Sequence, residues 1–193
     1  MLRTIAALCG TVMLAGTLVV AQTPAPAAKP APDAWMARTT KTPFQTQKAP
    51  DASLQIDVPK KDWMALPTGG ATVLMVASRK GDAVVAIERS TMRQALEAAD
   101  ITDLFAQIET DAIKERHPKA TDFLAKVMDS GERRLVAVQF TRPGVLGLER
   151  VRQYSIPVGK QLYRITCVSA AAQFAAYDPL FSHMAASFAV TAG

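Results

Sequence analysis

Residues that carry out chemistry are scarce in this chain, which has two cysteines and two histidines among 193 residues. Cys9 lies in the apolar stretch at the start, so a chain that loses this stretch keeps Cys167 alone and cannot form an internal disulfide. One thiol and two isolated histidines, His117 and His183, fall short of a zinc cage. Neither histidine stands in an H-E-x-x-H or comparable spacing. The nucleophile elbow G-x-S-x-G is absent, since Ser130 is followed by Gly131 without the rest of the motif. Gly144-Val-Leu-Gly147 is not followed by Gly-Lys-Ser/Thr and is not a phosphate loop. There is no long Lys/Arg run and no basic stripe interleaved with aromatics, which argues against nucleic acid as a partner. These absences leave no catalytic residue, metal or cofactor to expect.

What is present begins with an export signal. Arg3 supplies a positive start, and Ile5 to Val20 carries no charge. Val19 and Ala21 are small enough for the −3 and −1 positions of a cleavage site before Gln22. The uncharged run is shorter than the ~20 residues of a spanning helix, and prolines follow at once. Cys9 is preceded by Leu8, not by a small residue, so it does not form a lipobox. The mature chain is therefore expected outside the cytoplasm, periplasmic or secreted. Losing Arg3 leaves 21 Lys and Arg against 17 Asp and Glu, a net of +4. That mild basicity favours anionic surfaces, ligands or acidic proteins.

Residues 22–52 hold Pro24, Pro26, Pro30, Pro32, Pro43 and Pro50 among Ala, Thr, Lys and Gln. Such a stretch buries too little apolar surface to offset its ordering entropy and reads as a flexible linker. Trp35, Met36 and Phe44 are its apolar exceptions.

A domain spanning residues 53–190 follows. Leu54, Ile56 and Val58 alternate with polar residues up to Pro59, as in a strand. Trp63 stands in a short turn. Residues 72–78 and 83–89 form a hairpin around Arg79-Lys-Gly-Asp82. A short helix over Met92 to Ala99 precedes a second, whose apolar face is Ile101, Leu104, Phe105, Ile108 and Ala112. On that reading Asp103, Glu109, Asp111 and Glu115 are solvated charges. Strands are expected at 123–128, 134–141, 148–156 and 160–168. Pro157-Val-Gly159 reads as a three-residue hairpin loop pairing Ile156 with Lys160. That register places Arg150, Arg152 and Arg164 on one face and Val151, Tyr163, Ile165 and Cys167 on the other. Asp178-Pro179 reads as the cap and first turn of a closing helix with Phe181, Met184, Ala185 and Phe188 as its buried stripe. The order of elements implies an α+β fold, a mostly antiparallel sheet with helices packed on it.

Ile56-Asp-Val-Pro59 followed by Trp63, and the closing run Tyr163-Arg-Ile-Thr-Cys167, Phe174, Tyr177, Phe181 and Ser187-Phe188, resemble the PsbP-like and DcrB-like domains. The resemblance implies an αβα sandwich. It also implies an accessory or binding role, because that superfamily includes extrinsic photosystem subunits, nuclear transport accessory proteins and envelope lipoproteins. The leading expectation is a non-catalytic module that binds an envelope protein or complex. The alternative is a carrier of a small anionic or amphiphilic ligand, or a contact with a membrane surface. A carrier needs an apolar-lined cavity of roughly 300 Å³ or more. The third reading is a hydrolase, which needs convergent titratable groups. The candidate binding residues are Arg150, Arg152 and Arg164, since guanidinium groups suit phosphate and carboxylate ligands. Cleavage after Ala21 predicts an exported protein whose first residue is Gln22. Amino-terminal sequencing checks this, and a retained Met1 on the exported protein would contradict it.

Overall fold

The computed structural model describes residues 34–39, 41–130 and 133–191. The export signal, its cleavage site and Cys9 lie outside these residues. Strands β1 (Phe44–Lys48), β2 (Leu54–Pro59), β3 (Trp63–Ala65), β4 (Thr72–Ser78) and β5 (Ala83–Thr91) come first. Helix α1 (Asp103–Arg116) follows, then β6 (Thr121–Ser130), β7 (Arg133–Gly144), β8 (Gly147–Val158) and β9 (Gln161–Ala170). Helix α2 (Phe174–Ser187) and β10 (Ala189–Val190) close the described chain. Seven strands form one antiparallel sheet in the order β3-β4-β5-β9-β8-β7-β6. A smaller sheet has the order β1-β2-β10. The α+β reading therefore holds.

Each face of the large sheet has its own apolar core. On one face α2, β2 and the turn at Ala34–Met36 cover Leu135, Ala137, Tyr154, Ile156, Ile165 and Cys167. On the other, α1 covers Val136, Val138, Phe140 and Val151. Both faces are buried, so the central strands carry apolar residues at odd and even positions alike.

The flexible linker expected over 22–52 does not reach residue 52. Residues Phe44–Lys48 pair with β2, and Trp35, Met36 and Ala49 are buried in the core. Phe44 stacks on His183 with ring centroids 3.7 Å apart. The apolar exceptions in a proline-rich stretch were the sign of docking: Trp35, Met36 and Phe44 bury enough surface together to hold the segment despite its prolines. Trp63 begins a strand and is not in a turn.

Two helices also differ from the sequence reading. Residues 92–97 form no helix, and only Ala98–Asp100 make a single 3-10 turn. Helix α1 turns a different stripe inward: Ala106, Glu109, Thr110 and Ile113 are buried, while Leu104 and Ile108 are exposed. Helix α2 starts at Phe174, four residues earlier than Asp178, and carries Pro179 inside it. Its buried stripe is as expected, with Phe181, Met184 and Ala185 enclosed and Phe188 buried at the end.

The β8–β9 hairpin is tighter than the sequence implied. Val158 pairs with Gln161 across the two-residue loop Gly159-Lys160. Gly159 has φ +58°, and Lys160 is not left-handed. That is the pattern of a type II′ turn, whose twist matches the flanking strands. Pro157 lies in the strand opposite Leu162. The register is displaced by an odd number of residues from the expected one, which exchanges the faces of one strand relative to the other.

If the 34–52 segment is part of the core, Trp35→Ala lowers stability by about 3 kcal/mol. A chain that begins at Ser53 should lose cooperative unfolding. Urea denaturation checks both, and unchanged midpoints would restore the linker reading.

Candidate functional site

The three predicted arginines do not form one cluster. Arg152 lies opposite Cys167 on the α2 face, and Arg164 lies opposite Ser155 on the α1 face. Arg150 shares the face of Arg152 and donates to Thr141 Oγ1 at 3.3 Å, but its Nε is buried without a partner. The error came from the hairpin register. Because both faces are covered, the alternation of side chains could not correct it.

Arg152 is 1% exposed and is spent on the protein itself. Its Nε and Nη2 donate to Gln139 Oε1 at 3.2 and 2.8 Å, and its Nη1 meets Asp178 Oδ1. The guanidinium lies 4.2 Å from the Trp35 ring centroid and 5.3 Å from that of Phe174. Tyr154 Oη donates to the Trp35 carbonyl at 2.6 Å. The Trp35-Met36 pair, two of the apolar exceptions in the proline-rich stretch, is thus docked on its own domain.

Arg164 is likewise committed. Its Nε and Nη2 reach Glu109 Oε2 and Oε1 at 3.1 and 2.9 Å, a two-pronged pair beneath α1. Ser155 Oγ donates to the same carboxylate at 2.6 Å. Burial pushes the Glu109 carboxyl up, but the bonds from Arg164 and Ser155 outweigh it and hold Glu109 below the ordinary carboxylate range. Glu109 is not a solvated surface charge, as its position in the helix had implied.

A third node closes the β7–β8 hairpin. Arg142 Nε donates to Glu149 Oε2 at 3.1 Å, and its Nη1 lies 3.0 Å from His117 Nε2. A Cβ on Gly144 would stand about 2.0 Å from the Glu149 carboxyl carbon, so a larger residue there requires the Glu149 carboxylate to shift. Burial and the Arg142 charge both hold the His117 imidazole below its usual value. His183 is also lowered, chiefly by burial, while its Nδ1 accepts from the Thr39 amide at 3.0 Å. Cys167 is buried, and burial pushes its thiol up to about 12, so it is inert at neutral pH. Among the described residues no group of three or more His, Cys, Asp or Glu could hold a metal ion.

A cleft of about 640 Å³ lies on the α2 face, between the end of α2, the Ala34–Met36 turn and the β6–β7 hairpin. Leu135 and Ile156 form its floor. Ala185, Ala186 and Phe188 form the α2 wall, and Met36 and Ala37 the opposite one. Arg38, Ser130 and Arg133 are its polar members. Arg38 Nη2 donates to the Ala186 carbonyl at 3.3 Å and Arg133 Nη1 to the Phe188 carbonyl at 3.1 Å. Both cations therefore gather on the free carbonyls at the C-terminal end of α2. Sequence reasoning missed Arg38 because it lies in the presumed linker, and did not single out Arg133.

Seven-stranded sheet, α1 on one face and α2 with the small sheet on the other constitute an αβα arrangement found in several solved structures. The domain has the PsbP-like fold. Cyanobacterial PsbP (CyanoP) from Synechocystis matches with a TM-score of 0.55 at 14% identity, over 77% of this chain and 92% of that one. The Ran-binding protein Mog1p of Saccharomyces cerevisiae matches with a TM-score of 0.54 at 8% identity, over 78% and 96%. LpqN, described as involved in cell envelope biogenesis of Mycobacterium tuberculosis, matches at 0.51 and 12% identity, over 79% and 93%. No family model matches the sequence, and no curated protein is similar to it. At these identities the likeness concerns the fold of the PsbP-like domain alone. No helix among the described residues is long and apolar enough to cross a membrane.

The Glu109–Arg164 pair makes a pH-dependent prediction. Glu109 titrates below its ordinary value of 4.5 when folded. Its contribution is therefore complete above that value and is lost as pH falls through the lower, folded one. Glu109→Gln should cost about 3 kcal/mol at neutral pH, the low end for a buried pair because Arg164 keeps some solvent contact. The gap to the parent protein should close as pH falls from 4.5 through the lower, folded value. Urea melts across pH check this, and a pH-independent gap would assign the loss to side-chain packing instead.

Proposed function

We propose that this protein is an exported, non-catalytic binding module of the cell envelope, acting as an accessory to another envelope protein or complex. The observation that carries this reading is where the buried charges go. Arg152, Arg164, Glu109 and Glu149 are each bonded to other groups of the same domain. A catalytic base or nucleophile needs a group free to exchange a proton near neutral pH. Glu109 is held ionised by its partners, and the Cys167 thiol is held protonated by burial. The hydrolase reading needs convergent, poised groups and finds its nearest equivalents already bonded into the fold.

The neighbours lend support of a general kind. One is described as Ran-binding and another as involved in envelope biogenesis. A shared fold does not carry a partner from one protein to another. Several large apolar side chains face solvent, among them Val145 and Leu148 at the β7–β8 hairpin, and Leu104 and Ile108, which lie one helical turn apart on α1 and are 69% and 54% exposed. The mature protein, used as bait in mild crosslinking of its native envelope, should retain one stoichiometric protein partner. Ile108→Asp should reduce that recovery about tenfold with an unchanged melting temperature. A parent protein that retains no partner from its own envelope would overturn the reading.

A further inference from the structure

The β7–β8 hairpin ends in side chains that a solvated turn does not need. Val145 and Leu146 occupy the two positions between Gly144 and Gly147, which pair across the strands. Asn, Asp and Gly are the usual residues in such a loop. From Pro143 to Leu148 there is no charged side chain. Val145 is 98% exposed and Leu148 60%, and Leu146 is half-buried. None of the three belongs to either apolar core. The tip is nevertheless held in shape. Glu149, itself buried, accepts from the Leu146 amide at 3.2 Å through Oε1 and from Arg142 Nε at 3.1 Å through Oε2. A buried carboxylate is thus committed to fixing a loop that presents apolar side chains to the outside.

The base of this tip is basic. Beside Pro143, a hollow of about 210 Å³ is lined by Arg116, His117, Lys119 and Arg142, and among the described residues no carboxylate lines it. Glu115 and Asp122, the acids nearest in sequence, are not part of its walls. Arg142 shares its charge with Glu149, so the exposed Arg116 and Lys119 carry most of the outward charge. By itself a convex tip of three apolar side chains falls well short of the roughly 800 Å² that each side gives to a stable protein interface. It does match the boundary between acyl chains and acidic headgroups, where apolar side chains sink about 5–10 Å and nearby cations add to the attraction. We propose that the β7–β8 tip enters an anionic lipid surface, with Val145 and Leu148 below the headgroups and Arg116 and Lys119 among their phosphates. This goes beyond the reading of the protein as an accessory to another protein and needs no protein partner, so the two can fail separately.

Co-sedimentation of the mature protein with phosphatidylcholine vesicles, with and without phosphatidylglycerol, tests it. The expected result is binding at least about tenfold tighter to the vesicles that contain phosphatidylglycerol, and weaker as salt is raised. Val145→Asp should weaken that binding roughly tenfold, because it puts a charge where the apolar side chain enters. The melting temperature should not move, since Val145 packs against nothing in either core. Arg116→Gln combined with Lys119→Gln should also weaken binding roughly tenfold, through loss of charge alone. Val145→Trp reports insertion directly: lipid with brominated chains should quench its fluorescence beyond the quenching seen in the parent protein. Absence of binding to the phosphatidylglycerol vesicles would overturn the proposal, as would equal binding to the neutral ones. Binding unmoved by Val145→Asp, or a tryptophan at this position that brominated chains do not reach, would do the same. If Val145→Asp instead removes a captured protein partner and leaves vesicle binding intact, the tip is a protein contact and the proposal is wrong.

Discussion

A guanidinium buried at the centre of a sheet must be answered on every side, and Arg152 is answered by three different parts of the chain. Taking such a charge out of water costs several kcal/mol unless its donors are met. Gln139 on β7 receives two of its N–H groups, Asp178 and Ser182 on α2 receive another, and Trp35 covers its face. One side chain thereby ties the sheet, the closing helix and the segment before β1 into a single layer. Met36 follows Trp35 directly and forms a wall of the cleft. The cleft therefore exists because Arg152 holds the turn at Ala34–Met36 in place.

The opposite face repeats the arrangement with different residues. There Arg164 stands on β9, and the carboxylate that answers it comes from α1. A helix free to choose would bury Leu104 and Ile108. Instead α1 is rotated so that Glu109 lies over Arg164, and two large apolar side chains face solvent. Leaving Arg164 unpaired beneath a helix would cost more than the apolar area lost on rotating it. The exposed residues on α1 are thus a consequence of a buried pair.

These two nodes bear on function through what they use up. Most of the charge inside the fold is employed in holding it. At the end of α2, Arg38 and Arg133 bond main-chain carbonyls, and Arg133 also lies over the Phe188 ring. Proteins described as a cyanobacterial PsbP, a Ran-binding protein and an envelope-biogenesis factor share this layered frame at 8–14% identity. A frame that tolerates so much change places its specificity in local surface chemistry.

Local patterning alone was enough for the α+β class, most strands and the buried stripe of α2, because turn residues and short-range periodicity act over a few neighbouring positions. The resemblance in Ile56-Asp-Val-Pro59, Trp63 and the closing aromatic run pointed to the PsbP-like fold for the same reason: these are side chains that each layer needs. Three features depended on residues far apart in sequence. The start of the domain depended on Trp35 and Met36 finding a core built from residues more than a hundred positions later. The face of α1 depended on Arg164, 55 residues beyond Glu109. The separation of Arg152 from Arg164 depended on a two-residue turn at Gly159-Lys160, where an odd shift in register moves every side chain to the other face. With both faces buried, polarity along β8 and β9 carried no mark of which face was which, and only the packed tertiary structure could decide it.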